Sequence, residues 1–132
     1  MLFFDLFRRE PNIAEVPAGG ALFRQGEAAN GLMYVLVSGR AEIRVGDCCV
    51  EQAEPGTIVG EMAMIGSEPR SATVVAVSDC RFAEITAKRF HYLVTEAPQF
   101  AIEVMRVLAL RLRRADERLL AGVEAVAEAA NA

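Results

Sequence analysis

Gly60-Glu61-Met62-Ala63-Met64-Ile65-Gly66-Ser67-Glu68-Pro69-Arg70-Ser71-Ala72-Thr73 sets an acid directly after a glycine and an arginine nine positions further on. Apolar, strand-like sequence lies on both sides. A glycine and an acid followed by a short apolar turn can present backbone N–H groups to an anion, as the first turn of a helix does. Arg70 carries a planar fork that suits a phosphate bidentately. Taken as isolated residues, Glu61 and Arg70 read more simply as an ion pair across a loop.

Outward from this stretch, Ile13 to Phe82 consists of short apolar runs broken by turn residues such as Pro17-Ala18-Gly19-Gly20, Asn30-Gly31, Gly46-Asp47 and Pro55-Gly56. Leu32-Met33-Tyr34-Val35-Leu36-Val37 and Ala41-Glu42-Ile43-Arg44-Val45 are strand-like. Ser38-Gly39-Arg40 between them predicts a hairpin turn. Ala72-Thr73-Val74-Val75-Ala76-Val77 and Cys80-Arg81-Phe82-Ala83-Glu84-Ile85 continue the pattern beyond the opening stretch. Many short strands at close spacing predict an all-β sandwich or barrel over about residues 13–86. The Gly60–Arg70 segment then interrupts a barrel between two strands, where binding residues are commonly carried.

After Thr86 the apolar period changes. Thr86 can N-cap a helix over residues 87–96 with Phe90, Leu93 and Val94 on one side. Pro98 suits the first turn of a second helix, predicted over residues 98–128. Its first half is apolar nearly all round, which predicts packing on two sides. Its second half keeps a narrower stripe of Met105, Leu108, Leu112, Ala115, Leu119 and Val126, interrupted at Gly122. That stripe serves equally for packing within the chain or for pairing with a second copy. The alanine-rich tail, residues 125–132, is expected to fray. At the other end, Phe3, Phe4, Leu6 and Phe7 predict a short amphipathic helix or lead-in that caps the core.

Composition narrows the function classes. The chain has 132 residues and 53% apolar content, enough for one domain with a sizeable core. A formal charge of -4 argues against a general nucleic-acid coat, although a local positive pocket remains compatible with it. No run reaches the ~20 apolar residues that span a bilayer. Three cysteines, two of them the adjacent Cys48 and Cys49, fit a reducing cytoplasm better than a disulfide framework. The single histidine, His91, leaves a metal site of the usual His-cluster type almost without ligands and reads as a helix-surface residue. Arg8, Arg9, Arg24 and Arg40 read as solvated charges. No nucleophile–base pair or carboxylate pair stands out, so neither catalysis nor a metal is expected.

Strands, an inserted glycine–acid to arginine segment, then two helices: this arrangement resembles a cyclic nucleotide-binding domain over about Ile13 to Leu120. Val59-Gly60-Glu61-Met62-Ala63-Met64 is similar to that family's Phe-Gly-Glu-Leu-Ala-Leu, and Pro69-Arg70-Ser71-Ala72-Thr73-Val74 to its Pro-Arg-Ala-Ala-Thr-Val. Leu22-Phe23-Arg24-Gln25-Gly26-Glu27 and Val35-Leu36-Val37-Ser38-Gly39-Arg40 resemble further barrel stretches, which identify the fold rather than the ligand. The resemblance implies an antiparallel double-stranded β-helix, or jelly-roll barrel, with a short phosphate-binding segment and two C-terminal helices, as one domain over residues 1–132. It also implies that Arg70 binds the cyclic phosphate and that Glu61 accepts from the ribose 2′-hydroxyl. Backbone around Gly60, Met62, Ala63 and Ala72 lines phosphate and sugar. Within the whole motif this reading displaces the simple ion pair.

Ser71 bears on the base. In the family, alanine after the arginine is associated with cyclic AMP and threonine with cyclic GMP. Serine matches neither, and the reading leans to cyclic AMP with cyclic GMP as the other candidate. The expected function is a stand-alone cytoplasmic sensor that binds a cyclic nucleotide and signals by movement of the C-terminal helix, to a second copy of itself or to an unidentified effector protein. The alternative is an interaction or structural domain of the same fold that does not respond to nucleotide. A regulator of the catabolite activator type would need a further DNA-reading segment, and a cupin-like enzyme would need more metal ligands.

Overall fold

Alternating apolar positions between Ile13 and Ile85 form eight strands in the computed structural model, which describes residue 7 and residues 10–130, the side chain of residue 63 excepted. They are β1 (Ile13–Val16), β2 (Ala21–Phe23), β3 (Met33–Ser38), β4 (Ala41–Val45), β5 (Cys48–Ala53), β6 (Ile58–Val59), β7 (Thr73–Ala76) and β8 (Cys80–Ile85). Among the described residues three helices are delimited: α1 (Met62–Ile65), α2 (Ala87–Glu96) and α3 (Pro98–Ala130). The chain divides into two compact units, Met1–Glu96 and Ala97–Ala132. Phe3, Phe4 and Leu6, on which the expected N-terminal helix rests, lie outside the described residues, whereas Phe7 is buried.

The first unit holds two antiparallel four-stranded sheets, ordered β1-β8-β3-β6 and β2-β7-β4-β5. Their facing sides close on one core. Val16, Tyr34, Leu36, Val59 and Phe82 come from the first sheet, and Phe23, Ala41, Ile43, Val74 and Ala76 from the second. Alternation explains why each strand contributes every other residue: successive side chains point to opposite faces. On β4, Ala41 and Ile43 are buried while Glu42 and Arg44 lie on the other side.

Ser38-Gly39-Arg40 does not make the hairpin that its sequence predicts. β3 and β4 belong to different sheets, and these residues carry the chain from one to the other. The corner is fastened to the turn between β7 and β8. Arg40 N–H donates to Ser78 Oγ at 3.0 Å. The Arg40 carbonyl accepts from Val77 N–H at 2.9 Å and Ser78 N–H at 3.2 Å. Gly39, at φ +92°, passes so close that a Cβ there would lie 2.3 Å from the Asp79 carbonyl oxygen. A glycine between two apolar runs signals a reversal, but only long-range contacts decide which strand comes next.

The hairpin through Gly46-Asp47 does form, pairing Val45 with Cys48. Cys48 and Cys49 sit exposed at the start of β5, and Cys80 is buried. Burial pushes the Cys80 thiol above its ordinary pKa.

α2 begins as its cap predicts, with Arg89 N–H donating to Thr86 Oγ1 at 3.1 Å. Leu93 is its one fully buried side chain. The helix is also tied to the segment before β1: Arg89 Nε and Nη2 donate to Glu10 Oε1 at 3.0 Å and 2.6 Å. Nothing in the sequence marks that pairing.

α3 starts at Pro98 and runs without a break through Gly122 to Ala130, past the predicted fraying point. One glycine costs a helix only about 1 kcal/mol, and the surrounding alanines are the best helix formers. The expectation of packing on two sides is not met. Phe100 and Val104 are buried, whereas Ile102, Met105 and Leu110 are exposed. Further along, Leu112, Leu119 and Val126 are 64%, 68% and 71% exposed. Leu108, in the same stripe, is half-buried.

Candidate functional site

β6 ends at Val59, and the chain turns at Gly60 with φ +74°, a conformation that side chains other than glycine's resist. Glu61 already has helical dihedrals and heads the single turn of α1. The turn closes with Met64 N–H to the Glu61 carbonyl at 3.0 Å and Gly66 N–H to the Met62 carbonyl at 2.9 Å. The chain then returns through Arg70 to β7.

The backbone of Arg70 is pinned to the loop between β2 and β3. Its N–H donates to the Glu27 carbonyl, and its carbonyl accepts from Gly26 N–H, both at 2.8 Å. Next to it, Gln25 N–H donates to Thr73 Oγ1 at 2.8 Å. The same loop then reaches the side chain. Arg70 Nη2 donates to Asn30 Oδ1 at 2.6 Å and to the Leu32 carbonyl at 2.9 Å, while Nη1 reaches the Gly60 carbonyl at 3.5 Å. The guanidinium carbon lies 4.2 Å from the Phe23 ring centroid and 5.9 Å from that of Tyr34. A Cβ on Gly60 would fall 2.7 Å from Arg70 Nη1, so the absence of a side chain there makes room for the cation.

Arg70 and Glu61 are both only 6% exposed. Burial lowers the Arg70 pKa, and the charges of Tyr34, Glu27 and Glu61 partly restore it. The hydrogen-bond acceptors around the guanidinium are neutral oxygens, an amide and two carbonyls. A cation with neutral acceptors and an aromatic floor keeps charge that an entering anion would satisfy strongly where water is scarce.

The structure thus brings Gly60, Glu61 and Arg70 into one region. Ala72 is half-buried against the core, while Met62 and Ser71 are exposed. Ala63 contributes backbone to α1, and its side chain is outside the described set. Phe23, Asn30, Leu32 and Tyr34 are site residues that the sequence reading missed. They lie 36 to 47 positions from Arg70 in the chain, and no local pattern links a turn asparagine to a distant arginine. Among the described residues no group of three or more His, Cys, Asp or Glu gathers for a metal, and no helix is long and apolar enough to cross a membrane.

The model of the cyclic nucleotide-binding domain matches residues 13–97, which take in both sheets, the Gly60–Arg70 segment and α2. The chain belongs to the cyclic nucleotide-binding domain family. It is 38% identical over 98 residues to a cyclic nucleotide-gated potassium channel of Rhizobium etli, covering 74% of this chain and 27% of the channel. It is 30% identical over 115 residues to a Pycsar effector protein of Xanthomonas perforans, covering 86% of this chain and 38% of that protein. Among solved structures, the catabolite activator protein of Thermus thermophilus superimposes with a TM-score of 0.73 at 28% identity, over 87% of this chain and 56% of that one. A structure from work on a cyclic-GMP-dependent signalling pathway in bacterial phytopathogenesis gives 0.61 at 30% identity, over 90% and 89%. The chain spans 27% and 38% of the lengths of these two sequence relatives.

Proposed function

We propose that this domain is a regulatory sensor that binds a cyclic nucleotide in the cytoplasm and has no catalytic step of its own. The observation that carries the reading is the buried Arg70 guanidinium, set on Phe23, bonded to neutral oxygens and within electrostatic reach of the buried Glu61. Arg70 takes the cyclic phosphate. Glu61 accepts from the ribose 2′-hydroxyl, which discriminates against a deoxyribose because the missing hydroxyl would strand a buried polar partner. Backbone at Gly60, Met62, Ala63 and Ala72 lines the phosphate and sugar. Ser71 faces the base, with cyclic AMP preferred to cyclic GMP.

The output runs through α3, whose exposure changes on binding and biases assembly or a partner. Ligand can shift that equilibrium only by its differential affinity for the two states. The exposed residues of its stripe favour a second copy of the chain as the partner. Met105, Leu112, Leu119 and Val126 recur every seven residues with Leu108 and Ala115 between them, the spacing of a two-helix seam. A domain of this fold that pairs through the same stripe without responding to nucleotide is the second reading, and that exposed stripe is what favours it.

Calorimetry separates the readings. The wild-type chain is expected to bind cyclic AMP more tightly than cyclic GMP. Arg70→Ala should lose about 2–5 kcal/mol of binding, because the buried phosphate loses its charge partner. Unchanged affinity in Arg70→Ala would overturn the phosphate assignment, and tighter binding of cyclic GMP would overturn the base preference.

A further inference from the structure

Phe23 closes β2, and the strand reaches it through an irregularity. Ala21 pairs with Val75 but Phe23 pairs with Val74, so two steps along β2 answer one along β7. A bulge of this kind re-aims the side chains beside it. The loop after β2 is then laced to the Arg70 segment. Gln25 N–H donates to Thr73 Oγ1, Gly26 N–H to the Arg70 carbonyl and Arg70 N–H to the Glu27 carbonyl, each at 2.8 Å. Backbone bonds thus fix a ring and a cation against each other although they stand 47 positions apart.

The Arg70 guanidinium carbon lies over the Phe23 ring, 4.2 Å from its centroid. That ring is itself held: its centroid is 6.1 Å from that of Tyr34, which packs edge-on against Phe82 at 6.3 Å. All three rings are buried, so Phe23 cannot swing away without repacking the core. The face of an aromatic ring carries partial negative charge and attracts a cation most strongly where both are out of water. Like the Asn30 amide and the Leu32 and Gly60 carbonyls, the ring is neutral. A carboxylate in its place would cancel the cation and repel a phosphate. Its position also differs from theirs. Hydrogen bonds to a guanidinium lie in its plane, whereas the ring takes a face. An entering anion competes with acceptors in the plane and leaves the contact with Phe23 intact.

We infer that Phe23 is a positioning residue for the anion site: its ring face holds the buried Arg70 guanidinium in place without neutralising it, and keeps that hold when the ligand phosphate is bound. The inference rests on the assignment of Arg70 to a cyclic phosphate.

Two kinds of substitution test it, read by calorimetry with cyclic AMP and by urea midpoints of the ligand-free chain. Phe23→Leu keeps an apolar side chain but removes the ring face, and should weaken binding about 3- to 10-fold. Replacing Phe23 by mono-, di- and trifluorophenylalanine drains the face of negative charge at nearly constant shape. Affinity should fall stepwise along that series, and the urea midpoint should fall with it. A merely structural role would leave the fluorinated chains alike in affinity, and that result overturns the inference. In an Arg70→Met background the same series should show no stepwise fall in midpoint. An equal fall there also overturns the inference, since the ring would then act without the cation. Arg70→Ala serves as the reference for the ligand. If it loses binding while the fluorinated chains bind normally, only the role of Phe23 fails. If Arg70→Ala binds normally, the phosphate assignment fails, and this role fails with it.

Discussion

Gly60 shows how a single residue can serve the fold and the site together. Its positive φ of +74° lets the chain leave β6 and enter α1 within one step, and its missing side chain leaves space for Arg70. Gly60→Ala therefore meets both a backbone penalty and a contact of 2.7 Å with Nη1. The substitution should destabilise the domain by about 1–3 kcal/mol and should weaken cyclic nucleotide binding in parallel, checked by urea unfolding and calorimetry on the same protein. Full stability with full affinity would show that Arg70 does not need the space. The glycine and the arginine were both legible in the sequence as members of one motif. Their contact was not, because nine intervening residues can bring two ends together in many ways.

Among the elements, α2 has one fully buried residue, Leu93, and gains a second hold from Glu10. The ion pair is lopsided in exposure: the Glu10 side chain is 5% exposed and that of Arg89 is 35% exposed. Removing Arg89 strands a nearly buried carboxylate, whereas removing Glu10 leaves a cation that water can reach. Arg89→Gln should cost about 1–2 kcal/mol, less than a fully buried pair because of solvent screening. Glu10→Gln should cost less, and a double-mutant cycle on urea midpoints should recover a favourable coupling between them. Additive losses would show that the pair carries no energy of its own. The helix itself was readable from Thr86 and its apolar period. The partner of Arg89 was not, since Glu10 lies 79 positions away.

For the molecule as a whole, the apolar stripe of α3 is the surface through which we propose assembly. Its described length leaves Leu112 and Leu119 more than half exposed, and long apolar stripes on a monomer are interaction surfaces more often than ornaments. If a second copy covers them, Leu112→Asp or Leu119→Asp should convert a dimer into a monomer in sedimentation experiments while the β-sheet circular dichroism stays unchanged. Neither residue is buried in the single chain, so folding should survive. A wild-type chain that remains monomeric at high concentration, with and without cyclic AMP, would rule out the self-pairing output.

Sequence alone determined the class of the fold, the strand at Cys80–Ile85, the start of both C-terminal helices and the motif that holds Gly60, Glu61 and Arg70. These follow from local chemistry: alternation, caps, proline placement and a contiguous glycine–acid–arginine segment. It did not determine that β3 and β4 lie in different sheets, because a glycine corner looks the same whether it closes a hairpin or crosses between layers. Nor could it place Asn30, Phe23 and Tyr34 around the arginine. Those contacts exist because two sheets close on a common core and carry the loop between β2 and β3 against the Gly60–Arg70 segment. The sequence named the charge. Tertiary structure decided which neutral oxygens and which rings surround it.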